Sequence, residues 1–138
     1  MWPIEGMRHF LPIEFSHPDL MDDHTLNMLD EMRDQEPGIF VTINSDYRPG
    51  DKGWHGKGKA LDLVIWSQAT REPLSLVQQF LIANRYLWTG IGVYPYWAVP
   101  GLHVDTRPMR VYGRKAFWWR DAEGKYRDIM DLAGPGQS

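Results

Sequence analysis

The residues most able to do chemistry are a histidine and an aspartate in a glycine-rich loop and the strand that follows it. Asp62 lies in the segment 60–65, where its neighbours are apolar. A carboxylate in a core strand is costly unless it is paired with a cation or a metal ion. His55 lies seven residues earlier between glycines, which let the backbone curl tightly and bring the imidazole back towards the strand.

His103 and Asp105 form a second pair, in the sequence Gly-Leu-His-Val-Asp at 101–105. In a strand, alternation directs these two side chains to one face and the apolar Leu102 and Val104 to the other. Two imidazoles and one carboxylate are a ligand set that catalytic zinc sites commonly use, with a fourth position open to water. The chain has no cysteine, so any transition-metal site must use His, Asp and Glu.

The elements that position these residues are predicted from apolar runs and their periodicity. We expect an α+β fold with a small, mainly antiparallel sheet and helices packed on one of its faces. The functional side chains then lie on the other face and on a glycine-rich loop at 45–58. The predicted strands are 39–43, 60–66, 90–94 and 102–105, followed by a hairpin of 117–119 with Tyr126, and the predicted helices are 19–35 and 73–86.

Bulk composition predicts one domain over 1–138, with an irregular N-terminal segment at 1–15 and a flexible tail at 134–138. Apolar residues make up 43% of the chain, which is enough for a core. The net charge of −3 argues against nucleic acid as a partner. No apolar run approaches the roughly 18 residues of a membrane span, so we expect no membrane insertion, and we expect a monomer.

Three motifs, in order along the chain, resemble those of the VanY-like D-alanyl-D-alanine carboxypeptidase family of zinc peptidases, which includes several phage endolysins. Ser-Asp-Tyr-Arg-Pro at 45–49 resembles the family's Ser-x-x-Arg element. The segment 55–62 is similar to its His-x-x-Gly-x-Ala-x-Asp element, and 90–95 with 102–106 look like its C-terminal metal element. The resemblance covers roughly residues 20–120 and implies a hedgehog/D-Ala-D-Ala peptidase-like fold.

The resemblance implies that His55, Asp62 and His103 bind Zn²⁺. It also implies that Arg48 grips a substrate carboxylate, for which a planar guanidinium is well suited, and that Ser45 lines the substrate site. The residues alone leave other interpretations open. His55 can be a solvated loop histidine, Asp62 an ion-paired carboxylate and His103 a satisfied core histidine. Arg48 can be a turn residue paired with a nearby aspartate, and Ser45 a turn or cap residue.

The sequence departs from the family pattern at the general base. Many members place a Glu or Asp three residues before the last histidine ligand, whereas this chain has Pro100 there. Asp105 then has two possible roles. It is either the catalytic proton acceptor or a partner that holds the His103 or His55 imidazole in the correct tautomer.

Aromatic residues are frequent near the third histidine in the sequence. They are candidates for the core, or for a groove that packs against a peptide or a sugar. These residues are Tyr94, Tyr96, Trp97, Trp118 and Trp119.

The resemblance implies zinc-dependent hydrolysis of an amide bond in peptidoglycan stem peptides or cross-links, by a carboxypeptidase or endopeptidase of the kind found in phage lytic enzymes. The N-terminus shows no signal peptide, so we expect synthesis in the cytoplasm and action in the periplasm or cell wall after release. Two alternatives remain. One is a catalytically silent zinc module that binds peptidoglycan or a protein, which Pro100 favours, and the other is a structural phage component.

Overall fold

The computed structural model describes residues 6–110 and 113–129. Within these residues, six strands and two α-helices form an α+β fold, as predicted. The tail predicted at 134–138 lies outside the described residues. The strands are β1 (Ile39–Ser45), β2 (Ala60–Ser67), β3 (Gly90–Tyr94), β4 (Gly101–Asp105), β5 (Ala116–Arg120) and β6 (Tyr126–Asp128), and the helices are α1 (Asp23–Gln35) and α2 (Leu76–Asn84).

The strands form one sheet in the order β1-β2-β4-β3-β5-β6. Neighbours are antiparallel except β3 and β5, which are parallel, so the sheet is mixed. The prediction of a mainly antiparallel sheet is therefore correct for every neighbouring pair but this one. Strands β3 and β5 both run opposite to β4. Because they lie side by side, they form a parallel pair.

Helix α1 begins four residues later than predicted. Asp22 has an extended backbone, and its side chain accepts a hydrogen bond from the Thr25 amide, which caps the helix. The Asp22 amide donates to the Gly58 carbonyl at 2.9 Å, so Asp22 is held outside the helix. The residues predicted as the first turn form a separate 3-10 turn, Pro18–Leu20.

Helix α2 is shorter than the predicted 73–86 because a capping box fixes its start. The Ser75 hydroxyl accepts from the Gln78 amide, and the Gln78 side chain accepts from the Ser75 amide. Pro73 lies before this cap and forms an isolated bridge with Trp66 of β2. In the described part of the chain, no helix has the length and hydropathy needed to cross a membrane.

The two faces of the sheet have different roles. One face carries the apolar core, into which both helices pack, and Leu61, Leu63 and Ile65 of β2 are fully buried there. Strand alternation places Asp62 on the opposite face, together with His103 and Asp105 of β4. The predicted placement of the core on one face, and of these three candidate site residues on the other, is therefore confirmed.

Candidate metal centre

The side chains of His55, Asp62 and His103 converge on the face opposite the core. Asp62 Oδ1 lies 3.1 Å from His55 Nε2 and 3.2 Å from His103 Nδ1. One ligand atom from each residue lies within 4.8 Å of the others. All three residues are buried, at 5–8% exposure. This group can hold a metal ion, as the sequence predicts.

Local structure places each of the three ligands. Asp62 and His103 are direct partners across the antiparallel β2–β4 pair. His55 lies in a 3-10 turn, Trp54–Lys57, that ends at Gly58 with φ +70°. A Cβ at Gly56 would lie 1.8 Å from the Asp51 carbonyl oxygen, so only glycine fits there. The glycine-rich loop therefore turns the His55 imidazole back onto β2, as expected.

Hydrogen bonds fix the tautomers of both histidines. His55 Nδ1 lies 2.8 Å from the Asp46 carbonyl oxygen, which can only accept, so Nδ1 carries the proton. His103 Nε2 lies 2.7 Å from Asp105 Oδ2 and donates to it. The other nitrogen of each neutral ring then turns an unshared electron pair towards Asp62 Oδ1. Three acceptors this close require added protons or a cation between them, which fits a metal site.

The pKa values of Asp62 and His103 are shifted in the directions expected for ionised groups held close together. Burial alone raises the pKa of the Asp62 carboxyl. When the rings are protonated, hydrogen bonds from His103 and His55 outweigh burial and hold this pKa well below its usual range. Burial lowers the pKa of His103, but contacts with Asp105 and Asp62 outweigh that effect and raise it. The negative potential of two buried carboxylates therefore favours a positive charge at this position.

Asp105 is fully buried, and both of its oxygens are engaged. Arg107 donates from Nε to Oδ1 at 2.9 Å and from Nη2 to Oδ2 at 2.6 Å, while His103 donates to Oδ2. Burial raises the pKa of the Asp105 carboxyl, but the bonds from His103 and Arg107 outweigh it and lower the pKa. Asp105 does not line the cavity described below, so the geometry favours its positioning role over the role of proton acceptor.

Arg107 is a site residue that sequence reasoning missed. The guanidinium also stacks over Trp118, with its Cζ 4.8 Å from the ring centroid. Its spacing could have predicted this contact, because an arginine two residues after Asp105 can reach back to that carboxylate. A Cβ at Gly90, on neighbouring β3, would lie 2.3 Å from Asp105 Oδ1, so glycine makes room for this ion pair.

Arg48 reaches the predicted metal group, whereas Ser45 does not. Arg48 donates from Nη2 to Asp62 Oδ2 at 2.7 Å and pairs more loosely with Asp51 Oδ2 at 3.3 Å. Its Nε donates to the Ser45 hydroxyl at 3.1 Å. Arg48 lines the cavity and Ser45 does not, so Ser45 contacts the guanidinium and is not part of the cavity wall.

A cavity of about 500 Å³ opens over the three convergent ligands. Tyr94, Trp97 and Trp118 line it, which assigns three of the predicted aromatic residues to a groove. Tyr96 instead lines a neighbouring cavity of about 250 Å³, and Trp119 packs against the core. The remaining aromatic wall residues are Trp54 and Tyr126.

Comparisons of the chain with protein-family models, with curated proteins and with solved structures found no match. The chemistry of the site and the sequence motifs are therefore the two grounds that bear on function.

Proposed function

We propose that this protein is a zinc-dependent peptidase that hydrolyses an amide bond in peptidoglycan stem peptides or cross-links. The observation that supports this most directly is the convergence of His55 Nε2, Asp62 Oδ1 and His103 Nδ1 on the floor of an open cavity. Two imidazoles and one carboxylate suit zinc, and three protein ligands leave a position for substrate. The motif resemblance supplies the substrate class.

Zinc in such a site lowers the pKa of water and polarises a carbonyl group. The protein's own residues hold and orient the reactants. Arg107 and Asp105 keep the proton of His103 on Nε2, so that Nδ1 faces the metal position. Arg48, beside Asp62, orients a substrate group by hydrogen bonding. The aromatic wall packs against the peptide and excludes water from it.

Proton transfer falls to Asp51 in this proposal. Pro100 has no ionisable group, and its carbonyl accepts a structural hydrogen bond from Gln79. In the described part of the chain, Asp51 and Asp62 are the acidic residues of the cavity wall. Asp51 is one quarter exposed. Its Oδ1 accepts from the Gly53 amide at 2.6 Å, and its Oδ2 makes only a 3.3 Å contact to Arg48, so Oδ2 is the oxygen assigned to proton transfer.

A second candidate is a catalytically silent module that keeps the metal and binds wall peptide or a protein. The observation in its favour is that Pro100 and the engaged Asp105 remove the two expected positions for a base. No described residue bears on a structural role in a phage particle, so that alternative stays a prediction.

Elemental analysis and peptide digestion test the proposal together. We expect one zinc ion per chain and new peptide products from purified muropeptides by mass spectrometry. His55→Ala and His103→Ala should each lose most of the zinc and all measurable hydrolysis. His24→Ala is the matched control, because His24 is exposed on α1 and should change neither.

Two results would contradict the proposal. Unchanged zinc content in both ligand variants would refute the ligand assignment. Full zinc content in the wild-type protein without any peptide product would favour the catalytically silent module. A peptidoglycan pull-down then tests that second hypothesis.

A further inference from the structure

We infer that Arg120 forms a second anion-binding position in the cavity and binds a free carboxylate on the substrate, away from the bond that is cut. This inference deepens the proposed function and rests on it for the peptide nature of the substrate. It assigns the cavity an acidic peptide, recognised at two separate points.

The arginines of the cavity wall differ in whether a carboxylate neutralises them. Three arginines line the cavity: Arg48, Arg107 and Arg120. Arg48 is paired with Asp62 and Asp51, and Arg107 is paired with Asp105. Among residues 6–110 and 113–129, no carboxylate lies within ion-pair distance of Arg120. Its charge is therefore available to a ligand.

The Arg120 guanidinium is already held in position. Nε donates to the Gly124 carbonyl at 3.0 Å, and Nη1 donates to the Tyr126 hydroxyl at 3.0 Å. The guanidinium also lies over the Tyr126 ring, with Cζ 4.8 Å from the centroid. A guanidinium has five N–H donors, and these two bonds leave its outer edge to bind a carboxylate through two parallel hydrogen bonds. Little side-chain freedom is then lost on binding.

The sheet register sets the distance between the two positions. His103 pairs with Gly92, and Gly92 pairs with Trp118, so Trp118 is two strands away from His103. Arg120 lies two residues further along β5 on the same face. Strand spacings of about 4.8 Å and a rise of about 3.3 Å per residue separate His103 and Arg120 by about 12 Å along the sheet.

This separation determines which carboxylate Arg120 can bind. An extended peptide covers about 12 Å in three to four residues. A carboxylate next to the bond that is cut lies too close to the metal group to reach Arg120, and Arg48 binds it instead. Because a side chain or branch adds its own reach, a carboxylate on a residue two or three positions away spans the same distance to Arg120. The cavity therefore selects a peptide that carries an acidic group at that spacing.

Binding of a matched pair of peptides tests the inference. The probes are L-Ala-γ-D-Glu-L-Lys-D-Ala-D-Ala and the same peptide with the D-glutamyl α-carboxylate converted to a carboxamide. Stopped-flow tryptophan fluorescence of the zinc-loaded protein reads binding before turnover. We expect about 10-fold tighter binding of the acid, the size of a charge-assisted hydrogen-bonded pair. Arg120→Gln should reduce the preference to less than about twofold, and Arg120→Lys should keep part of it.

Arg114→Gln is the control, since Arg114 is exposed outside this cavity, and it should keep the full preference. An acid preference that survives in Arg120→Gln, or that is lost in Arg48→Gln instead, overturns the inference. So does equal binding of the two peptides by the wild-type protein.

The outcome is separable from that of the proposed function. An Arg120-dependent acid preference without hydrolysis supports the anion position and rejects the peptidase. Hydrolysis without an acid preference supports the peptidase and rejects the anion position. A thermal melt of Arg120→Gln checks that the exposed substitution leaves the fold intact.

Discussion

At the floor of the cavity, His55 Nε2 and His103 Nδ1 each turn an unshared electron pair towards Asp62 Oδ1. Each histidine is oriented by an acceptor on its far side, the Asp46 carbonyl for His55 and Asp105 for His103. Such outer contacts fix the ring tautomer and strengthen the ligand. Because they do so here, the ligands do not need the metal to adopt the correct orientation.

The role of Asp105 is tested by Asp105→Asn. A positioning role predicts about 10- to 100-fold weaker zinc binding, because the amide no longer accepts as strongly from His103 Nε2. Arg107 would also lose its ion-pair partner. Zinc affinity is measured by competition with a coloured chelator. If zinc affinity is unchanged while kcat collapses, Asp105 is the proton acceptor and the positioning role is wrong.

The proton acceptor is tested by Asp51→Asn. We expect kcat to fall about 100-fold or more, the usual cost of removing a general base, with zinc content unchanged. Muropeptide turnover and elemental analysis measure the two quantities. Glu72→Gln is the matched control, because Glu72 is exposed and lies outside the cavity wall. Normal turnover by Asp51→Asn would exclude this assignment.

At the scale of elements, one loop joins the metal group to the rest of the fold. The Arg48 amide donates to the His55 carbonyl, which closes the loop between these residues. At its end, the Gly58 carbonyl accepts from the Asp22 amide at the start of α1. The loop that holds His55 is therefore anchored both to itself and to the first helix.

This anchoring predicts a large effect of Gly58→Ala. Gly58 has φ +70°, and an added Cβ would lie 2.3 Å from the Leu20 carbonyl oxygen. We expect a loss of about 2–4 kcal/mol in the free energy of unfolding, from backbone strain together with the displaced contact, and weaker zinc binding. Urea denaturation measures the first and chelator competition the second.

Gly38→Ala is the control for that prediction. Gly38 has φ +78° but no atom within 4 Å of the added Cβ. It carries the left-handed strain of about 1–2 kcal/mol without the clash, and it lies away from the metal group. Equal losses in the two variants, or normal zinc affinity in Gly58→Ala, would contradict the anchoring role of this loop.

In the molecule as a whole, the sheet separates the apolar core from the candidate metal centre. The apolar core lies on one face with both helices, and the metal group and cavity lie on the other. Side chains on the cavity face can therefore change without opening the core. A metal ion held by His55, Asp62 and His103 would join β2, β4 and the His55 loop, so its removal would lower the stability of the whole fold.

Zinc removal is the corresponding test. A ligand that binds only the folded state stabilises it by about 2.7 kcal/mol at 100 times its dissociation constant. For a domain of this size we expect chelation to lower Tm by on the order of 10 °C. Differential scanning calorimetry measures the shift. His103→Ala should melt at the same temperature with and without chelator, and an equal shift in both proteins would show that zinc acts elsewhere.

Features that depend on neighbouring residues could be predicted from the sequence. Alternation in 101–105 assigned His103 and Asp105 to one face, and the glycines around His55 predicted a tight turn towards β2. The apolar runs located the strands, and the helix starts shifted only where Asp22 and Ser75 form caps. These properties are local, because the backbone geometry of a few residues sets them.

Contacts between side chains far apart in the sequence became clear only from the fold. A short stretch of sequence does not predict the parallel β3–β5 pair or the bond of Arg107 to Asp105. Nor does it predict that Tyr126 holds the Arg120 guanidinium beside the cavity. Strand order and register depend on contacts between residues far apart in the chain, and the periodicity of one strand does not identify its neighbour. The group of His55, Asp62 and His103, which could hold a metal ion, was predicted from residue types and motifs along the chain. Its surroundings could not be predicted, because sheet pairing brings them together.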